Sequence, residues 1–193
     1  MNGVPRIADE LASHLRDRII SGTIRPGTQL AEASLATEYD VSRPTARTAV
    51  DLLVADGLLI RKPHLPPQVP QISSQDLREI IALLETCESL ALEIAFHNEV
   101  DPRPLRRSIT ESANQVLHTL VKSCGSERLT QIHRRCTFEL MLTDAQSWKA
   151  DNPAVRSLVD AVATFEFDLA NESLGALQKS RHSVLDRVEA VSL

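Results

Sequence analysis

Aromatic residues are scarce: Phe, Trp and Tyr make up 3% of the chain. Leu, Ala and Ile abound instead. A β-sandwich would need more Val, Tyr, Phe and Trp, so the composition predicts a mainly helical core. No apolar run approaches the roughly 18 residues that span a bilayer, and no membrane partner is expected. The first residues, MNGVPRIADE, lack the apolar stretch of a secretory signal, which predicts a cytoplasmic protein. The three cysteines, Cys87, Cys124 and Cys136, show neither CxxC pairing nor zinc spacing. They read as reduced thiols outside any disulfide framework.

An excess of positive charge is missing too. The formal net charge is −5, and residues 1–70 carry 8 Lys/Arg against 8 Asp/Glu, so the acidity lies in the rest of the chain. A nucleic-acid surface in the first part must gather its few arginines on one face. Catalytic signatures are also lacking. There is no Ser/His/Asp, Cys/His, paired-carboxylate or Gly-rich phosphate constellation with supporting context, and no enzyme is expected. His133 and Cys136, three apart on one predicted helix, are the nearest approach to a base and nucleophile; such pairs arise by chance.

What is present is helical periodicity. Ile7, Leu11, Leu15 and Ile19 recur every four residues and predict a helix over Arg6–Ile20, ended at Ser21-Gly22. A Pro26-Gly27 turn follows, then a helix over Glu32–Tyr39. Ser42 is a good N-cap for a third helix, Arg43–Asp56, with Ala46, Ala49, Val50 and Leu53 buried and Gly57 as its stop. Leu58–Ile60 reads as a strand, Arg61–Pro67 as a hairpin tip and Gln68–Pro70 as a returning edge. LPPQVPQISS reads as a linker, giving domains at 1–70 and 74–193. The second is predicted to be an antiparallel helical bundle built from Ser74–His97, Pro102–Lys122, Glu127–Ala145, Pro153–Asn171 and Leu174–Val191. Phe138, Phe165 and Phe167, at helical spacing among Leu and Val, are expected in its core.

Helix, turn, helix and hairpin within seventy residues is a winged helix-turn-helix arrangement. Arg43 and Arg47 lie four apart and project from one side of the third helix, with Thr45 beside them. Arg can engage guanine in a bidentate fashion, and Ser or Thr can take phosphate or base edges. Arg61 and Lys62 read equally as phosphate contacts or as a solvated hairpin.

The stretch LRDRIISGTIRPGTQLAEASLATEYDVSRPTARTAVDLLVADGLLIRKPH resembles the DNA-binding domain of the GntR family of bacterial regulators. It carries I-x-x-G-x-x-x-P-G-x-x-L, L-A-x-x-x-x-V-S-R, a second Arg four residues on, and D-G-L followed by two apolar residues and Arg. The resemblance implies operator contacts from Ser42, Arg43, Thr45 and Arg47, and a minor-groove contact from His64 at the wing tip. It implies a homodimer on a palindromic double-stranded operator, acting as a repressor. Two departures stand out: Ala33 replaces an early-helix Arg, and His64-Leu65-Pro66-Pro67 replaces a His-x-Gly turn.

SQDLREIIALLETCESLALEIA, ADNPAVRSLVDAV and SRHSVLDRVEA resemble segments of the FCD branch of that family, the class with a fatty-acid-regulator-type C-terminal domain. Many members bind a divalent metal through one Asp and three His, beside a small carboxylate effector. Here the first metal motif aligns with Arg135-Cys136-Thr137-Phe138-Glu139, placing Arg for Asp and Glu139 for His. His182 matches one expected His but reads more readily as an ordinary histidine, partly buried in the core or on the surface. Leu84 replaces a usual Arg, while its partner Glu88 remains. The chain ends at Leu193, before the helix that carries the last His, so the resemblance implies a shortened domain. Glu88, Glu139 and His182 therefore mark an effector-like or metal-like position with no complete metal site. No cofactor is expected, though weak divalent binding stays open. A carboxylate effector is one expectation; a C-terminal domain that only dimerises or recruits a partner is the other.

Overall fold

The computed structural model describes residues 3–143 and 153–191, in two compact units, Met1–Ile72 and Ser73–Leu193. In the first, helix α1 (Gly3–Ile20) buries Ala8, Leu11, Ala12, Leu15 and Ile19. Ile7 lies outside this face and is largely exposed, because the buried stripe starts at Ala8. Gly22 ends the helix with φ +76, a left-handed conformation that costs glycine nothing, and its N–H donates to the Ile19 carbonyl.

Helices α2 (Glu32–Glu38) and α3 (Arg43–Ala55) are joined by a tight turn. Asp40 takes φ +50 there, and the Val41 N–H closes back on the Ala36 carbonyl at 3.0 Å. Both α1 and α2 pack on α3, whose buried face is Thr45, Ala46, Ala49, Val50 and Leu53. Arg16 of α1 clamps Asp56 at the end of α3, Nη2 to Oδ2 2.6 Å.

The expected strands do not form among the described residues. The wing is held by isolated antiparallel bridges, Ile60 with Gln68 and Gln29 with Gln68. Proline explains this. Pro67 and Pro70 flank the paired residues and have no N–H to extend a ladder. Nor do the first residues of the expected linker act as one: Pro67 accepts from the Leu30 N–H at 2.7 Å, and Val69 is fully buried.

The second unit is built on helix α4 (Ser74–His97). A capping box starts it: the Asp76 N–H donates to the Ser73 hydroxyl, and the Ser73 N–H donates to the Asp76 carboxylate. Then come α5 (Arg103–Ser108), α6 (Ala113–Ser123), α7 (Glu127–Met141), α8 (Pro153–Thr164) and α9 (Phe167–Val191). Helix α4 packs against α6, α7 and α9, and α8 pairs with α9 as a helical hairpin.

Two expected helices divide differently. Pro102–Lys122 is interrupted because Ser112, with φ −163, caps α6 and accepts from the Gln115 N–H. The break expected after Asn171 falls instead at Phe165, whose φ of +63 turns the chain while the Glu166 N–H bonds back to Ala161. The expected helix end at Ala145 lies outside the described residues. The aromatics are not core either. Phe165 and Phe167 are 50% and 39% exposed and surround half-buried Phe96, with ring centroids at 5.1 and 5.2 Å. Phe138 is half-buried beneath the Arg134 guanidinium.

Candidate nucleic-acid interface

The N-terminus of α3 is built by a local hydrogen-bond knot. The Ser42 hydroxyl oxygen accepts from the Thr45 N–H at 3.2 Å and meets the Thr45 hydroxyl at 2.7 Å. Capping of this kind satisfies one of the four otherwise unpaired N–H groups of a helix start. Pro44, at the second helical position, has no N–H to leave unpaired. Thr45 is 4% exposed. Its side chain braces the cap from inside, which takes it off the outer face expected from sequence.

Arg43 and Arg47 do lie outward, both exposed. Neither forms an ion pair with another described residue. Two unengaged guanidinium groups one turn apart, beside the positive end of a helix, suit a polyanion.

The wing residues divide. Arg61 is engaged, with Nη2 donating to Asp51 of α3 at 2.6 Å and to Glu32 of α2 at 3.0 Å. Lys62 is exposed and in no ion pair with a described residue. The Leu65 N–H closes on the Lys62 carbonyl at 3.2 Å, forming a four-residue turn with Pro63 second and His64 third. His64 is exposed and has φ +62. That position favours glycine or asparagine.

In the second unit, Glu88, Glu139 and His182 do not converge. His182 is on the surface, with Nε2 3.0 Å from Glu85. Glu139 pairs with Arg135 on its own helix. Glu88 is fully buried, and its partners are Arg181, which grips both carboxylate oxygens, and His133, whose Nε2 lies 3.0 Å from Oε1. Burial alone would raise the Glu88 pKa. The Arg181 charge and the hydrogen bonds from His133 and Arg181 outweigh it and hold the carboxyl below its usual range.

Sequence reasoning placed Glu88 but missed Arg181, which neighbours the His182 it singled out. The one available signal was helical phase: Leu174, Leu177 and Arg181 share the buried face of α9. No group of three or more His, Cys, Asp or Glu side chains suited to a metal exists among the described residues. The donors present do not fit the four-ligand site of the resemblance. Burial, with Glu139 and Cys87 adding, pushes the Cys136 thiol up to about 11, and His133 faces Glu88. The pair is no nucleophile and base.

The first unit has a winged helix-turn-helix architecture. Residues 7–65 match the model of the gntR family of bacterial regulatory proteins. Through this unit the chain is similar to the GntR family of DNA-binding transcription regulators. It is 29% identical over 121 residues to the HTH-type transcriptional regulator YdhC of Bacillus subtilis, covering 62% of this chain and 54% of that one. It is 34% identical over 91 residues to the gluconate operon transcriptional repressor of Bacillus licheniformis, covering 47% of this chain and 37% of that one. The chain thus spans about half the length of the first relative and about a third of the second.

Among solved structures, E. coli McbR/YncC superposes with a TM-score of 0.71 at 15% identity, over 97% of this chain and 99% of that one. A GntR regulator of Rhodococcus sp. RHA1 gives 0.68 at 20%, over 93% and 97%. These likenesses establish the fold. No helix of the described residues is long and apolar enough to cross a membrane.

Proposed function

We propose that this chain is a repressor of the FCD branch that binds a two-fold symmetric operator as a homodimer. The observation that carries it is the pair of exposed, unengaged arginines, Arg43 and Arg47, at the capped start of α3. They would read base edges, with Ser42 and Lys62 on phosphates and His64 in the minor groove. One such helix makes too few base contacts for useful specificity, and two half-sites supply the rest. Repression is supported by the matched gluconate operon regulator, which is a repressor by name.

A small carboxylate effector would modulate binding through the C-terminal unit. The closed Glu88–Arg181 pair favours a second reading for the bundle interior, in which that centre holds the helices together and takes no ligand or metal. Footprinting on the gene's own upstream region, with sedimentation of the free protein, tests the first reading. Two protected half-sites and a dimer are expected. A monomer at micromolar concentration that still binds tightly would overturn it.

A further inference from the structure

Three of the chain's four phenylalanines meet at one point on the surface of the second unit. Phe96 of α4 forms the floor. Phe165, in the turn between α8 and α9, and Phe167, at the start of α9, stand over it with their rings exposed. Phe165 also holds φ +63, a left-handed conformation that a bulky residue takes at a local cost. The cluster leaves apolar area in water and strains the backbone to do so, a combination that marks recognition surfaces.

The charge around it has one sign. Residues 157–178 contain Asp160, Glu166, Asp168 and Glu172 and no Lys or Arg, and residues 79–102 hold no Lys or Arg either. Glu93, Glu166, Asp168 and Glu172 are exposed and form no ion pair with a described residue. Such a rim repels nucleic acid, an anionic membrane and a second copy of the same patch, and it attracts Lys and Arg side chains.

From the aromatic cluster a shallow trough runs between α4 and α9. Phe167, Asn171, Gly175 and Gln178 lie at i, i+4, i+8 and i+11, along the side of α9 that faces α4. Phe167 touches Phe96 at one end, and Gln178 Nε2 donates to the Glu85 carbonyl at 3.3 Å at the other. Between them Gly175 presents no side chain, and a Cβ there would meet nothing within 4 Å. Glycine inside a helix is unfavourable relative to alanine, and no positive φ requires it here. The open space lets the backbone of an approaching rod come close.

We infer that this trough docks a basic amphipathic helix of a partner protein, its apolar residues against Phe165 and Phe167 and its Lys or Arg side chains on Glu93, Glu166, Asp168 and Glu172. The mode is a helix laid in a groove, with aromatic anchors inside a charged rim. It is independent of the DNA reading, because the patch belongs to the second unit alone.

Fluorescence anisotropy on the full chain tests it, with a synthetic helix that carries Leu at i, i+3, i+4 and i+7 and Lys elsewhere. Saturation at one site per chain is expected, weakening as salt rises. The same stripe with Glu in place of Lys should not bind, and a scrambled Lys/Leu peptide, which has no stripe, should bind far more weakly. F165S/F167S should weaken binding about tenfold or more, as for loss of an aromatic anchor. E166K/E172K should weaken it as well while leaving both rings in place. G175L should block the trough while the melting temperature holds or rises, since leucine is the better helix former. Failure of the basic helix to saturate overturns the inference, as does full affinity in F165S/F167S or equal affinity for the scrambled peptide. Sedimentation supplies the last arm: a dimer that F165S/F167S converts to a monomer would make the patch an interface between copies and overturn the partner assignment.

Discussion

Arg61, at the base of the wing, donates a hydrogen bond to Asp51 of α3, with Nη2 2.6 Å from Oδ1. The same nitrogen reaches Glu32 at the start of α2. One guanidinium thus ties wing, α3 and α2 together. The hydrogen bond that Arg61 donates to Asp51 is the main reason its pKa is raised. This geometry suits Arg61 to positioning the wing, and the proposed phosphate contact falls to its neighbour Lys62. Lys62→Ala should lower the salt dependence of operator binding by about one ion. Arg61→Ala should weaken binding with a smaller change in that slope, and Asp51→Asn should reproduce part of the loss. A full one-ion change for Arg61→Ala, with Asp51→Asn silent, would reverse the two assignments.

Arg43→Ala and Arg47→Ala should each weaken specific binding by about 1–3 kcal/mol, the range for a lost bidentate base contact. Both lie away from the Ala46, Ala49, Val50, Leu53 face, so the melting temperature should hold. Full operator affinity in the double variant would remove α3 as the reading helix.

Glu88→Leu removes from buried Arg181 the carboxylate that takes both its Nη1 and Nη2 hydrogen bonds and should cost about 3–5 kcal/mol in urea unfolding. Replacing both Glu88 and Arg181 by Leu should cost much less, because no charge is then stranded. Additive losses in the two single variants and the double would show that the two residues are not coupled.

Burial holds the His118 pKa down, which gives it a definite pH signature. The unfolded chain takes up this proton near 6.5 and the folded one near 4. Its contribution is complete above pH 6.5 and is lost as pH falls toward 4. Stability should therefore drop between pH 7 and pH 5, and His118→Gln should flatten the curve in that window. Glu88, held below the usual carboxylate range, acts only at lower pH. Parallel curves for wild type and variant would rule His118 out as the source.

Purified protein is expected to carry no stoichiometric zinc, nickel or manganese. Glu139 is matched by Arg135, His182 by Glu85 and Glu88 by Arg181, so a cation would compete with two ion pairs and a hydrogen bond already in place. One equivalent of metal by elemental analysis, lost in His182→Ala with a fall in melting temperature, would show a site that these pairs hide.

Much of the first unit was legible because its signals are local. Gly22, Ser42 and Gly57 mark helix ends by backbone geometry and capping, which act over three or four residues. The Leu11, Leu15, Ile19 spacing needs nothing beyond its own helix. Thr45 shows the limit: a hydroxyl beside two arginines in sequence can turn inward to brace a cap. The bundle was harder. Arg181 is legible only from the phase of α9, and an arginine on a buried face is rare enough to be passed over. Its partner Glu88 lies 93 residues away in sequence, and Glu88's other partner His133 lies 45 from Glu88, pairings that periodicity does not encode. The Phe165 break was missed because a phenylalanine at positive φ is unfavourable locally and is held by the hairpin it closes.

The turn at His64 bears on the thermodynamics of recognition. Pro63 precedes it, Pro66 and Pro67 follow it, and the Leu65 N–H already closes it. A glycine-rich tip would have to surrender conformational freedom when it settles into a groove. This tip has given up most of that freedom on folding, so little entropy remains to be lost on contact. On the proposed operator, the imidazole would be delivered by a preorganised loop that accommodates only those duplexes whose groove already matches its shape.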